Sequence, residues 1–197
     1  MSGFVVIPFA CEPGAARVAR GLARAVQRRI AGSGKPARFL PLVAEREGEI
    51  FFLNRRDLLP EDEVRRIARE QGVARVVDGR LGGADVEVLV HEATPGAPPV
   101  TRPFPLLLDR FFDIAGAIAL WLAPVAGAGA KMGPPIQDPR ALELFLEAED
   151  LALIGYRSAD EAAAARARRS SLLAEAAGLD PVVGAAIAAL AGVGPRG

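Results

Sequence analysis

Cys11 and His91 are the chain's single cysteine and single histidine, and so the first residues that could support catalysis. A nucleophilic thiolate needs a base within hydrogen-bonding reach, and His91 is the one imidazole that can serve. The spacing does not bring them together, because Cys11 follows one predicted strand and His91 lies on another. A small apolar cysteine and a histidine on the less buried face of its strand are the simpler reading. The loop FACEPGAAR, residues 9–17, stands between a strand and a helix amino terminus, where exposed N–H groups attract anions. It lacks the G-x-G-x-x-G spacing and the G-K-[ST] ending of phosphate loops, so it reads as a plain connection. Asp109 and Asp113 stand one helical turn apart, as paired carboxylates do, but their neighbour is Arg110 rather than further metal ligands. A cap or surface role follows. No catalytic residue, metal site or cofactor is expected.

Charge is more ordered than chemistry. Arg17, Arg20, Arg24 and Arg28 share one face of a predicted helix, and Glu143, Glu147 and Asp150 form an acidic stripe at i, i+4, i+7 on another. These seven residues are the candidate protein-interaction surfaces. The arginine face can receive an acidic or phosphate-rich partner, or it can be a solvated face partly paired with acids from elsewhere. The two stripes can also pair with each other, within the chain or between subunits.

The elements that carry these residues are legible from pattern. Phe4–Phe9 is an apolar run suited to a strand buried on both faces. From Ala15 to Ala31 a helix repeats Val18, Leu22, Val26 and Ile30, and Gly32, Gly34 and Pro36 end it. Ala37–Val43 reads as an edge strand because of Pro41. In Glu45–Leu59 the string EIFFL fits a short strand or a packed loop. Pro60 and three acids open a helix that Gly72 closes. Val73–Arg80, a turn at Gly82-Gly83, Val86–Val90, a turn at Thr94-Pro95-Gly96 and Val100–Phe104 make a meander. A helix over Leu106–Leu122 follows. The order predicts an α/β (α+β) domain with a mixed sheet at 1–122. A Pro/Gly/Ala linker is expected at 123–138. An all-helical region at 139–197 is expected to hold helices over Pro139–Ile154, Ser158–Ala177 and Pro181–Ala191. Asp138-Pro139 and Asp180-Pro181 each place a capping residue before a helix-opening proline.

Composition excludes some roles. Hydrophobic residues make up 51% of the 197, ample for a core and too many for a disordered chain. Lys+Arg and Asp+Glu both total 24, without the basic excess expected of a nucleic-acid binder. Residues 114–130 carry no charge, but Pro124 and the Ala/Gly load favour a core helix running into a linker over a membrane span. The start MSGFVVIPF has neither a basic segment nor a long apolar one, which predicts no secretory signal and a cytoplasmic protein.

Several strings resemble a known module. FVVIPF with GLARAVQRRI, VRRIAREQGVARVVDGRL, VEVLVHEATPG and LLLDRFFDIAGAIALWL are similar to the amino-terminal domain of the TolB translocation protein, in the version fused to tetratricopeptide (TPR) repeats. ALELFLEAEDLAL resembles a first repeat helix, and SLLAEAAGLDPVVGAAIAALAG the junction between two repeats, broken at Pro181. The first hairpin runs longer than the period of about 34 residues allows, and Arg169 stands where a small residue is usual. The resemblance implies a non-enzymatic interaction and assembly module, a TPR-containing adaptor for an unidentified protein partner. The other reading is a small-ligand or nucleotide-binding protein that uses the loop Ala10–Ala15. After Asp113 the helix ending at Leu122 has no polar face and needs cover on more than one side. Leu142, Phe145, Leu146 and Leu153 of the helical region are its expected cover, with a second subunit completing it as a homodimer.

Overall fold

The computed structural model describes residues 2–46, 49–94, 96–125, 132–156 and 158–191. Pro95, residues 47–48, residues 126–131 of the expected linker and residues 192–197 therefore lie outside the described residues. Five strands form one mixed sheet in the order β2 (Ala37–Phe39), β1 (Phe4–Val6), β5 (Arg75–Leu81), β6 (Asp85–Glu92) and β7 (Val100–Pro105). Strand β1 is parallel to β2 and β5, whereas β5, β6 and β7 run antiparallel in succession. EIFFL resolves as a strand: β3 (Val43–Arg46) and β4 (Glu49–Phe52) make a separate antiparallel pair. The fold is α+β, as the order of elements predicted.

Alternation along the strands divides the sheet into two faces. Phe4, Val6, Val77, Val88 and Val90 belong to the larger buried cluster, together with Leu22, Val26 and Ile30 of helix α1 (Ala16–Gly32). Each of these three α1 side chains is fully buried, worth roughly 1.5–3 kcal/mol apiece. Val5, Ile7 and Val76 pack on the opposite face against Val64, Ile67 and Ala68 of helix α2 (Glu61–Gln71). Glu61, Asp62 and Glu63 occupy the first turn of α2, favourable to its dipole, and Gly72 closes it at φ 63°, a left-handed conformation that glycine adopts without strain.

The helix expected from Leu106 begins later. Leu106 still donates its N–H to Ala84 O, which extends the β6–β7 ladder, so a 3-10 turn at Leu108–Arg110 precedes helix α3 (Phe111–Leu122). Its cover also differs from the expectation. Helix α1 lies along α3, and β7 touches it. The helical region meets α3 at its start, where the Phe145 ring packs edge-on against Phe112 at 5.2 Å and Phe111 at 6.4 Å. Leu142 and Leu146 are buried, but Leu153 lies beyond the end of its helix and is half-buried. Gly116, Ala117, Leu120 and Trp121 on the outer side of α3 remain half-buried.

Helices α4 (Pro139–Leu151), α5 (Ala159–Leu179) and α6 (Pro181–Ala191) make up the carboxy-terminal region. Helix α4 stops at Leu151, short of the expected Ile154, where the Tyr156 hydroxyl donates to Leu151 O at 2.6 Å. Asp138 caps α4 by accepting from the Arg140 N–H at 2.9 Å. Asp180 does more than cap α6. It accepts from the N–H groups of Val182 and Val183, and also from those of Gln137 and Asp138, so one carboxylate joins the entries of α4 and α6. Burial pushes its pKa up, and the four backbone donors outweigh that, holding it below its ordinary value. The larger cluster runs without a break from the sheet through α1 and α3 into Ala141, Phe145, Ala176, Val183 and Ala186. Among the described residues, no helix is long and apolar enough to cross a membrane.

Candidate functional site

Helix α4 crosses the outer side of α1 at Gly21, where a Cβ would overlap Leu146 Cδ2. That close approach sets the spacing of the charged side chains above it. Arg20 is only 8% exposed; its Nε and Nη2 donate to the two Asp150 oxygens at 3.0 and 2.7 Å. Its Nη1 donates to Asn54 Oδ1 at 2.9 Å, and the guanidinium stacks 4.4 Å from the centre of the Phe52 ring. Arg20 thereby ties α1, α4 and the segment after β4 together. Arg17, half-exposed, reaches Asp150 at 3.4 Å.

Glu149 is the second focus. Arg24 Nε donates to its Oε2 at 2.7 Å, Arg28 Nη2 lies 3.0 Å from the same oxygen, and Arg169 of α5 donates to Oε1 at 3.2 Å. The carboxylate is 3% exposed. Burial lowers the Arg28 pKa from its ordinary value; Glu149 opposes that shift, while Arg24 and Arg169 add to it. Arg168 pairs with Glu147, and Glu143 is exposed outside this seam. The arginine stripe and the acidic helix thus meet within one chain. Glu149, the residue on which three arginines converge, lies off the i, i+4, i+7 pattern and was not anticipated. The one sequence signal for it was Arg169, a long cation where a small residue was expected. Guanidinium groups stay charged and only donate hydrogen bonds, so this seam offers anion binding and orientation rather than proton transfer.

A second buried carboxylate lies on the α2 face of the sheet. Asp78, with no exposed surface, accepts from Arg55 Nη2 at 2.7 Å, from the Leu59 N–H at 2.9 Å and from the Gly79 N–H at 2.6 Å. Arg55 Nη2 also donates to Pro8 O at 2.6 Å. Arg55 pins the segment before α2 to the end of β1.

The structure separates Cys11 from His91. Ala10 bridges to Arg80 at one end of β5, whereas His91 pairs with Val76 near the other, roughly 13 Å away along the strand. Burial raises the Cys11 pKa, with Arg20 and Arg55 acting in the opposite sense, so the thiol is protonated and inert at neutral pH. Burial also lowers the His91 pKa, against the pull of Asp78 and Glu61, and its Nε2 is buried without a hydrogen-bond partner among the described residues. In the loop after β1, the N–H groups of Ala10, Cys11 and Ala15 donate to Gly79 O, Arg55 O and Glu12 O. Asp113 Oδ1 accepts from the Gly133 N–H at 3.1 Å, and Asp109 O accepts from Ile136 N–H at 2.8 Å. The Asp109–Asp113 turn therefore holds the chain that leads into α4. Among the described residues, no group of three or more His, Cys, Asp or Glu could hold a metal ion.

No family model, curated protein or solved structure matches the chain.

Proposed function

We propose that the chain is a non-enzymatic protein-interaction module, a TolB amino-terminal-like domain carrying a degenerate TPR-like helical layer. The observation that carries this reading is α6. Its eleven residues, PVVGAAIAALA, contain no polar side chain, yet among those whose burial is described only Val183 and Ala186 are buried; Val182, Ile187 and Leu190 are half-covered. The apolar side chains left half-covered on α6 would gain from further cover. Helices α4, α5 and α6 pack successively, and α6 also touches α4, an arrangement that suits stacking of one more helix on the open side of α6. The ligand-binding alternative is less favoured, because the loop after β1 uses the N–H groups of Ala10, Cys11 and Ala15 internally.

A photo-reactive phenylalanine analogue placed at exposed Ala188 tests the reading in living cells, with the same group at exposed Arg66 on α2 as control. The expected outcome is a discrete adduct at position 188 and none at 66. A second copy of this chain in the adduct would identify the homodimer as the assembly. Equal labelling at both positions, or none at 188, would remove the interaction reading.

A further inference from the structure

Among the described residues Glu149 is the one carboxylate between the guanidinium groups of Arg24, Arg28 and Arg169, and the other acids of the seam are already engaged. Asp150 is held by Arg17 and by both donors of the Arg20 fork, and Glu147 is held by Arg168. Arg24, Arg28 and Arg169 therefore carry two positive charges beyond what Glu149 neutralises. Like charges brought together in a part-buried site repel one another; burial is the main cause of the lowered Arg28 pKa, and Arg24 and Arg169 add to it. The cluster also has an orphan donor: Arg169 Nε is buried without an acceptor among the described residues. Leaving such a donor unsatisfied costs on the order of 1–3 kcal/mol, so the geometry calls for a further acceptor.

The site is reachable as well as cation-rich. The side chains of Arg24, Arg28 and Arg169 are 16%, 21% and 32% exposed, so each keeps some access to solvent beside its contact with Glu149. They come from two helices, α1 and α5, and converge on the α4 carboxylate between them, which fixes their mutual spacing. Planar guanidinium forks suit the tetrahedral oxygens of phosphate, and a phosphate group carries about −1.5 to −2 charges at neutral pH, matching the excess. We propose that Arg24, Arg28 and Arg169, arranged around Glu149, form a binding site for a phosphate group. The site lies on α1 and α5 and uses no residue of α6, so it does not rest on the interaction reading above.

Phosphorus NMR of inorganic phosphate titrated with the full chain at constant ionic strength tests the site. Saturable line broadening is expected. Arg28→Met or Arg169→Met should weaken it about tenfold, the scale of one charge-assisted hydrogen bond. Glu149→Gln should tighten it by removing the competing anion, and Arg66→Gln on α2 should leave it unchanged. Parallel titration with phosphoserine separates the sources: tighter binding than inorganic phosphate indicates a phosphate monoester, and equal or weaker binding indicates the free anion. A second measurement needs no variant. Phosphate should protect Arg28 and Arg169 of the unaltered protein from phenylglyoxal, mapped by peptide mass spectrometry. Absence of saturable binding to the unaltered protein, or binding without protection of these two arginines, would overturn the site.

Discussion

Asp78 and Glu149 are equally hidden from water and both face arginine, yet their surroundings are balanced in opposite ways. Asp78 meets one guanidinium and two backbone N–H groups, so charge and hydrogen bonds close on themselves beneath α2. Glu149 meets three guanidinium groups and leaves the seam between α1, α4 and α5 positively charged. Asp180 makes a third case: four backbone N–H groups serve it. Burial by itself therefore says little about a carboxylate's role. The count of cations around it separates a fastening from a receptor.

The largest effect expected from this contrast is at Asp78. Asp78→Ala leaves Arg55 buried against Pro8 and should cost about 3–5 kcal/mol in urea unfolding, with or without phosphate. A loss below about 1 kcal/mol would show that Arg55 finds another partner and that Asp78 is no fastening. Asp180→Ala should cost about 2–3 kcal/mol, since buried N–H groups at two helix entries lose their acceptor. Because the folded-state pKa of Asp180 is depressed, its contribution is present above the unfolded value of about 3.9 and lost as pH falls through the folded one. The acid limb of the stability profile below about pH 4 should flatten in this variant, and an unchanged limb would assign acid unfolding elsewhere.

Glu149→Gln should be milder, about 1–2 kcal/mol, because the three arginines keep partial access to screening water. Here the comparison sharpens: added phosphate should restore the lost melting temperature in this variant and not in Asp78→Ala. Recovery of both, or of neither, would break the distinction. The smallest effect belongs to His91. Its lowered pKa means that the unfolded chain takes up a proton at about pH 6.5 while the folded chain does not. Its contribution is therefore full above about pH 6.5 and lost as pH falls toward the folded pKa. His91→Phe should flatten stability across that window, and an unchanged pH profile would remove His91 as its source.

Most elements were legible because their signals are local. The Val18–Ile30 spacing, the acids and proline before Val64, the Gly82-Gly83 turn and the aspartates before Pro139 and Pro181 each act within a few residues. Less visible were the edges: Leu106 stayed in the ladder through its bond to Ala84, and Tyr156, five residues on, donates to the last turn of α4. The site was half legible. The two charged stripes could be read from the chain, but Glu149 lay one position off the acidic pattern, and Arg169 registered only as a departure from a repeat.

The sequence by itself determined the α+β class, the order of helices and strands and the charge carried on each helix face, because periodicity and capping act at short range. Only the tertiary structure decided which charges meet. Arg20 and Asp150 are 130 positions apart, and Arg24 and Glu149 are 125 apart. No local pattern relates such positions; they are joined because Gly21 lets Leu146 sit against α1, which brings α4 close enough for short hydrogen bonds. Tertiary packing also decided what covers α3. A helix apolar all round demands burial, but its sequence cannot name the neighbour, and the position beside it was filled by α1.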